Sequence, residues 1–596
     1  MPESLRVWAP QARTVEIVYR VDGSLAAEPM AEHPDGWWSA ADTTHSSLSF
    51  DYAFRIDGGA PWPDPRSPWQ PDGVHGFSRT IDPATFAWTD HGWPGPRGGR
   101  GVLGALHYEL HIGTFTPEGT LDAAARHLPY LVALGVDVVL LMPVAAFPGR
   151  WGWGYDAVAP YAVHEPYGGP AALVRFVDAA HRLGLGVALD VVYNHLGPVG
   201  NYLAGFGPYY SARHTTPWGP ALNLDGPGAA EVRRWVLDNA ARWLRDFHVD
   251  ELRLDAVHAL HDDSPRHLLA ELADETAALT VELGRPLALV AETDRNEPAT
   301  VTPVAQGGLG LTAQWADDVH HAIHVALTGE TQGYYGDFAD PSALATTLSA
   351  VFLHDGRHSS FRGRPWGRPV DRTRVDGRRF LVFLQSHDQV GNRAQGDRIG
   401  AALTPGQQAI GAALSLLGPG TPMVFMGQEW SASTPWQYFT DFDPAEPAAA
   451  AIHAGRQAEF AGHGWIDEVV PDPQDPATRA ASVLDWAEPD RDPHARMLGW
   501  YRDLVRLRAA EPELDDGRLD AVRVEGGVQQ GWLTMRRGAI LVAVTFAPRP
   551  TAVPVGPDGD GARLLVTWAG RCTGVEDGLA HLDGHDVAVL RLPPPR

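Results

Sequence analysis

The sequence predicts an α/β protein built around a (β/α)8 TIM barrel, with an N-terminal β-sandwich before it and a small C-terminal β domain after it. The chain has 596 residues, which is too many for one hydrophobic core. Its middle alternates short apolar runs with amphipathic stretches of helical period, whereas both ends show the pattern of half-buried strands. We therefore expect three domains, over residues 1–95, 96–514 and 515–596.

The N-terminal segment has the pattern of paired strands. Apolar side chains alternate with polar or small ones from Val15 to Tyr19 and again from Phe50 to Ile56, where a Gly-rich turn follows. Period-two alternation that stops at tight turns is typical of half-buried strands in hairpins, which favours a small sandwich. The stretch 88–100 is rich in Gly and Pro and has the composition of a linker.

Eight apolar runs are candidate barrel strands: Leu106–Ile112, Val136–Pro143, Gly186–Val192, Glu251–Asp255, Ala288–Glu292, Leu311–Trp315, Phe380–Ser386 and Met423–Gly427. Helices are expected between several of them, over Leu121–Gly135, Ala171–Leu183, Ala230–Phe247 and Pro265–Leu283. Such alternation indicates a parallel sheet covered on both faces, and eight strands fit a closed barrel better than an open sheet. A last helix, Ala495–Leu514, precedes the strands Ile540–Phe546, Leu564–Trp568 and Val587–Leu592.

The composition excludes several classes of function. The formal net charge of -26 repels phosphate backbones and anionic lipid, so neither nucleic acid nor a membrane is an expected partner. The sequence contains no lysine, which excludes Schiff-base catalysis, a lysine-bound pyridoxal cofactor and a GxxxxGK[ST] phosphate loop. Cys572 is the single cysteine. We find no signal-peptide pattern and no apolar run of about twenty residues, so we expect a cytoplasmic protein.

Acidic residues stand at the ends of four predicted strands. Strand three ends in Asp190 and the pair Asn194-His195, strand four in Arg253, Asp255 and His258, strand five in Glu292, and strand seven in His387, Asp388 and Gln389. A parallel barrel places its active site at the carboxyl ends of its strands. One acid there is commonly the N-cap of the next helix, but four acids with His and Arg neighbours favour a catalytic site.

Glycoside hydrolysis requires two carboxyl groups in different protonation states, and a separation of about 5–5.5 Å gives retention of anomeric configuration. Arg253 shares a strand face with Asp255 and should keep it ionised as a nucleophile. Glu292 follows three apolar residues and faces a second carboxylate, so we expect a raised pKa and a role as general acid/base. We expect Asp388 to hold substrate hydroxyls and to face the developing cation.

These four segments resemble the signature regions of the α-amylase family, in the same order and on the same strands. The resemblance implies the roles of nucleophile for Asp255, acid/base for Glu292 and third carboxylate for Asp388. It also implies contacts with the sugar beside the cleaved bond, which Tyr155 would stack against. The residues expected to bind substrate are Trp153, Tyr155, Asp190, His195, Arg253, His258, His387 and Gln389.

Longer segments are similar to those of the trehalose-releasing members of this family. They are Gln314–His321, Thr328–Tyr335, Phe425–Thr440 and Asp472–Pro476. The similarity implies hydrolysis of the α-1,4 bond that joins a maltodextrin to a terminal trehalose, with a maltodextrin-type oligosaccharide ending in trehalose as substrate. A glucan branching or isoamylase-type debranching enzyme is the alternative within the family. The alternative of another class is a non-catalytic glucan-binding protein, against which the three retained carboxylates argue.

We expect no metal and no cofactor. Amylases often hold calcium near the residue that matches Asn194, but the following loop, 197–228, shows no acidic cluster beyond Asp225. His320 and His324 are four residues apart, a spacing that can bind zinc, but the sequence indicates no third ligand nearby.

Overall fold

The computed structural model describes residues 5–21, 24–41, 49–462, 470–556, 559–572 and 574–594. Eight parallel strands close into a barrel, in which the last strand pairs with the first. Their bounds are His107–Leu110, Val138–Leu141, Gly186–Val191, Glu251–Leu254, Ala288–Ala291, Ala313–Trp315, Phe380–Phe383 and Thr421–Phe425. These are barrel strands one to eight below. The predicted α/β barrel is confirmed, and its strands are shorter than the apolar runs that announced them.

Alternate residues of the strands fill the barrel interior. Val138, Leu140, Ala188, Ala288 and Val290 form part of one buried cluster that runs through it. Because side chains two apart point to the same face, the residues that follow these interior positions along the chain point into the carboxyl-terminal mouth. Strand alternation therefore carries the interior face into the site.

Helices cover the outside of the barrel, with a break where one helix is expected. The predicted helix Leu121–Gly135 is wrong, because two helices, Leu121–Ala125 and Leu128–Leu134, take its place. Pro129 has no N–H for the carbonyl of Ala125, so an uninterrupted helix would lose a hydrogen bond there. The other helices include Ile112–Phe115, Gly169–Arg182, Leu203–Phe206, Ala229–Arg245, Leu268–Leu283, Asp317–Thr328, Ala343–Ala350, His387–Gly391, Pro405–Leu416, Pro447–Gly462, Pro476–Ala481 and His494–Ala510.

The N-terminal region is built from two antiparallel sheets. One has the strand order Arg6–Trp8, Trp37–Ser39, Ala31–Glu32, and the other has the order Ser24–Pro29, Val15–Val21, Asp51–Ile56, Pro61–Trp62, with Ser78–Arg79 also paired to Asp51–Ile56. The predicted linker that follows is packed against the barrel. Trp93 stacks on His181 with ring centres 4.4 Å apart, and its Nε1 donates to Asp250 Oδ1 at 2.9 Å.

Two further sheets form the C-terminal region. The larger has the order Val522–Gly527, Trp532–Arg537, Ile540–Thr545, Asp586–Arg591, Arg563–Thr567, and the smaller has the order Thr551–Pro554, Leu579–Leu582, Val575–Glu576. Cys572 is buried in their shared core. Two-stranded pairs within the barrel loops are Ala145–Ala146 with Ala159–Val163, Tyr210–Thr216 with Gly219–Leu222, and His358–Ser359 with Arg364–Pro365. The domain boundaries near residues 95 and 514 stay predictions. Across the described ranges, we find no helix with both the length and the apolar character needed to cross a membrane.

Candidate active site

Arg253 is the centre of a charged cluster at the barrel mouth. It lies on strand four and is 1% exposed. Its Nη1 donates to Asp190 Oδ2 at 2.7 Å and to Asp255 Oδ1 at 2.8 Å, and its Nη2 lies 3.7 Å from Glu292 Oε2. Burial lowers the pKa of Arg253, but the surrounding acids outweigh it and raise that pKa well above the usual value. One guanidinium therefore stays charged while it contacts three carboxyl groups from strands three, four and five.

Asp255 follows strand four and has hydrogen bonds to both carboxylate oxygens. Oδ1 accepts from Arg253, and Oδ2 accepts from Asn194 Nδ2 at 2.8 Å. The same Asn194 amide also donates to the main-chain oxygen of Asp255 at 2.9 Å. Charge-assisted donors on both oxygens favour the ionised form of a carboxyl group. The arrangement fixes the orientation of Asp255 and leaves it suited to act as an anion.

Glu292 follows strand five in a different environment. Burial raises its pKa well above the usual value, and the charges of Asp255 and Asp388 add to that effect while Arg253 opposes it. Its Oε2 accepts a hydrogen bond from the main-chain N–H of Ala256 at 2.6 Å. Ala256 has φ 40°, a left-handed conformation that disfavours residues other than glycine. The strained residue directly after Asp255 thus positions the carboxyl group of Glu292.

His387 and Asp388 begin the short helix His387–Gly391 after strand seven. The Nε2 of His387 lies 2.7 Å from the hydroxyl of Tyr155, which donates to Asp190 Oδ2 at 2.7 Å. The rings of Tyr155 and His387 stack with centres 5.3 Å apart. Asp388 Oδ1 lies 3.5 Å from His387 Nε2 and accepts from Asn392 Nδ2 at 3.3 Å. Tyr155, His387 and Asp388 are therefore joined to the cluster around Arg253.

Glu109 holds His387 from the far side, and the sequence analysis missed it. It lies on strand one, where Oε1 accepts from His387 Nδ1 at 2.6 Å and Oε2 from the main-chain N–H of His387 at 2.9 Å. Burial lowers the pKa of His387, but the charges of Asp388 and Glu109 raise it to about 9. His387 is thus an imidazolium at neutral pH. The available signal was a charged residue inside the apolar run His107–Leu110.

Asp317 is a second acid that the sequence analysis did not place in the site. It is the first residue of the helix Asp317–Thr328, which follows strand six. Burial raises its pKa to about 7, and the charges of Asp294 and Asp388 raise it further. Glu292 also senses the charge of Asp317. Strand six therefore adds a carboxyl group to the mouth, although the sequence assigned it only to a helix start.

The comparisons with known proteins agree over almost the whole chain. A model of the α-amylase catalytic domain matches residues 80–207. The malto-oligosyltrehalose trehalohydrolase of Arthrobacter ramosus is 52% identical over 98% of this chain and 99% of its own length. That of Mycobacterium tuberculosis is 49% identical over 100% of both. The chain belongs to the malto-oligosyltrehalose trehalohydrolase family.

Solved structures place this trehalohydrolase family member among α-amylase folds. A Salmonella typhimurium protein assigned as an alpha amylase is 36% identical, covers 99% of this chain and 97% of its own, and has a TM-score of 0.88. An Anoxybacillus pullulanase bound to maltotetraose is 18% identical with a TM-score of 0.71 over 99% of this chain, which shows a shared fold.

The remaining predicted site residues of this trehalohydrolase family member differ in how close they lie to the cluster. His195 follows Asn194, contacts its side-chain amide, and donates from Nε2 to the carbonyl of Tyr155 at 3.1 Å. Trp218, half exposed, stacks on His195 with ring centres 5.0 Å apart. His258 lies further out, with Nδ1 3.8 Å from Asp294 Oδ1.

Two expected contacts lie behind the site. Trp153 is 5% exposed, packs edge-on against His387, and donates from Nε1 to the carbonyl of Gln437 at 2.9 Å. Gln389 accepts a hydrogen bond from the hydroxyl of Ser386 through Oε1. Both side chains support the loop of His387 and Asp388 from behind, which favours an indirect role for them.

A further acidic group lies in the loop after strand three. His214, Asp225 and Asp263 place one potential metal-binding atom each within 4.8 Å of one another. The sequence analysis saw only Asp225, because Asp263 comes from the loop after strand four. Arg213 Nη2 lies 2.7 Å from Asp225 Oδ2, so a guanidinium already occupies the carboxylate that a cation would need.

Proposed function

We propose that this chain is a retaining glycosidase that hydrolyses the α-1,4 bond between a malto-oligosaccharide and its terminal trehalose. Relatives that are 45–52% identical over nearly their full length carry the name malto-oligosyltrehalose trehalohydrolase. A glucan branching enzyme of Burkholderia thailandensis is 27% identical and matches 65% of this chain. The products are free trehalose and a maltodextrin shortened by that unit.

The observation that carries the proposal is the pair of unlike carboxyl groups around Arg253. Asp255 accepts hydrogen bonds on both oxygens, whereas burial raises the pKa of Glu292 well above the usual value. A nucleophile must be ionised and a general acid must carry a proton at the same pH. The two residues stand in these two states within reach of one guanidinium.

In the first step Asp255 attacks the anomeric carbon of the glucose unit that adjoins trehalose. A bond from its carboxylate oxygen to that carbon forms while the bond to the glycosidic oxygen breaks, and Glu292 gives its proton to the departing trehalose. In the second step Glu292 takes a proton from water, whose oxygen attacks the same carbon and releases Asp255. Both steps leave the anomeric configuration retained.

The other residues of the mouth bind the sugar at the cleaved bond. We assign Asp388 and His387 to its hydroxyl groups, since a carboxylate accepts and an imidazolium donates hydrogen bonds. Tyr155 offers the ring for stacking, while Asp190 and Arg253 hold Tyr155 and Asp255 in place. Outside this centre, Trp218 and Phe361, 50% and 52% exposed, offer aromatic faces to the glucose units beyond the bond.

Product analysis on maltotriosyltrehalose tests the activity. We expect trehalose and maltotriose in equal amounts by chromatography, and no trehalose with the Asp255→Asn variant. A branched glucan assayed in parallel should give no new linear chains and no new branches. Absence of trehalose with the unmodified chain would reject the proposal. The cytoplasmic location stays a prediction, and the net charge of -26 supports a neutral substrate over nucleic acid.

A further inference from the structure

A cavity of about 340 Å³ lies between the N-terminal β region and the loop that follows strand two. One wall contains Gln70 and Gly73, and the opposite wall contains Phe147, Arg150 and Glu165. The volume falls within the range of small-ligand sites, about 300–1,000 Å³. None of these residues belongs to the active site described above.

Gln70 supplies an unused acceptor in this wall. Its side chain is 1% exposed, and Nε2 donates to the hydroxyls of Ser67 and Ser78 at 3.0 and 3.3 Å. Its Oε1 is buried and has no hydrogen-bond partner among the residues that the structure describes. A buried amide oxygen without a partner costs free energy, and a donor from a ligand would remove that cost.

The charges around the cavity suit a neutral polyhydroxylated ligand. Arg150 and Glu165 contribute opposite charges on the same wall. The Oε2 of Glu165 accepts from Trp69 Nε1 at 2.5 Å, which fixes that carboxylate. Burial lowers the pKa of the neighbouring His164 to about 3, so this imidazole is uncharged at neutral pH. Its ring stacks on Phe147 with centres 3.7 Å apart and provides an apolar face.

One continuous loop joins this cavity to the cleavage site. Arg150 lines the cavity, and Tyr155, five residues later, donates to Asp190 in the active-site cluster. Five residues span at most about 18 Å when fully extended. A glucan chain a few units long therefore reaches from one site to the other. Arg150 is held through its main chain, since its N–H donates to Asp441 Oδ2 at 2.7 Å and its carbonyl accepts from His164 Nε2 at 3.2 Å.

We propose that this cavity is an accessory binding site for the maltodextrin part of the substrate, with Arg150, Glu165 and the free Oε1 of Gln70 as its hydrogen-bonding groups. The inference rests on the proposed function, because it takes an α-glucan as the ligand. A second anchor for the chain holds long substrates more tightly than short ones, while the chemistry at Asp255 and Glu292 is unchanged.

Calorimetric titration with maltoheptaose tests the site directly. We would use the full chain carrying Glu292→Gln, so that the sugar is not turned over, and compare it with the same chain carrying Arg150→Ala or Pro71→Trp as well. Arg150→Ala keeps both main-chain hydrogen bonds, and Pro71→Trp adds bulk to the cavity wall. Arg13→Ala is the matched control, since its side chain is 87% exposed and its nearest acid, Asp57, lies 3.7 Å away. We expect two bound sugars per chain in the parent and the control, and one in the two cavity variants.

Kinetics with the active chain give the second readout. We expect Arg150→Ala to raise KM about tenfold for trehalose carrying a long maltodextrin, as the loss of one charge-assisted hydrogen bond would, and to leave kcat unchanged. KM for trehalose carrying a single further glucose unit should not change. Equal maltoheptaose counts in all variants, or equal changes for short and long substrates, would overturn the accessory site. Failure to release trehalose from any substrate would instead reject the proposed function, and the calorimetric count would still decide whether the cavity binds glucan.

Discussion

Two buried histidine–glutamate pairs share the first barrel strand, one below the other. His107 lies 2.9 Å from Glu251 of strand four, and Glu109, two residues along, lies 2.6 Å from His387 after strand seven. The side chains of the first pair are 0% exposed and those of the second 1%. The residue types and distances are nearly equal, so the height in the barrel is what separates them.

The lower pair ends in the barrel core, whereas the upper pair continues into the active site. His107 has the carbonyl of Ala105 on its other nitrogen. His387 has Tyr155 on its other nitrogen, and through Tyr155 it reaches Asp190, Arg253 and Asp255. A buried charge pair thus stabilises the fold or prepares the site according to what lies beyond it. Substitutions at the mouth should change turnover, and substitutions below it should change stability.

Asp255→Asn is expected to have the largest effect, because it removes the nucleophile of the covalent step. We expect kcat for trehalose release to fall at least about 10⁴-fold, with the thermal unfolding temperature close to that of the parent. The amide keeps an acceptor for one donor, so the fold is retained. Circular dichroism provides the control for folding. Residual turnover within tenfold of the parent would place the nucleophile elsewhere.

Glu292→Gln should lower kcat by about 10²–10⁴-fold, the usual contribution of a general acid. A malto-oligosyl fluoride needs no proton for departure of its leaving group, so formation of the covalent intermediate should recover with this substrate in Glu292→Gln but not in Asp255→Asn. Burial raises the pKa of Glu292, so the activity of the parent is full below that pKa and falls as pH rises through it. A deficit equal for the fluoride and the natural substrate would contradict the acid role.

Glu109→Gln sharpens the comparison, because it changes the mouth pair without touching a carboxyl group at the cleaved bond. Loss of this charge lowers the pKa of His387 from about 9, so the alkaline fall in kcat/KM should begin at a lower pH. At neutral pH we expect a loss of about 10- to 100-fold, the worth of one charge-assisted hydrogen bond. Glu118→Gln, at an acid whose side chain is 53% exposed, is the control. An alkaline limb that does not move would show that Glu109 has only a structural role.

The fold was predictable because its signals are local. Short apolar runs mark strands that are buried on both faces, and helical periodicity marks the segments between them. The residues at the strand ends were predictable for the same reason, since alternation places Asp190, Arg253 and Asp255 on the interior face once the strand is known. The break at Pro129 was also local, and only the strength of the surrounding helical pattern concealed it.

What could not be predicted depends on contacts across the barrel. Glu109 meets His387 although 278 residues separate them, and no spacing in the sequence announces the pair. The left-handed conformation of Ala256 has no glycine to mark it, because tertiary contacts impose it. Asp263 joins Asp225 only when two loops fold together. Each of these is a relation between elements, whereas periodicity describes one element at a time.

Glu251→Gln tests the floor pair and should have the smallest effect on activity. Burial lowers the pKa of His107, but the charge of Glu251 outweighs it and raises that pKa above 6.5 in the folded chain. A raised pKa gives stability that is fully present below the pKa of the unfolded chain and is lost as pH rises through the folded value. We therefore expect the free energy of unfolding to fall by about 1–3 kcal/mol, more at pH 6 than at high pH, with kcat unchanged. Denaturant unfolding at both pH values, with Glu282→Gln as an exposed control, measures this. If kcat fell while stability held, the floor would be coupled to the mouth, and height in the barrel would no longer separate the two pairs.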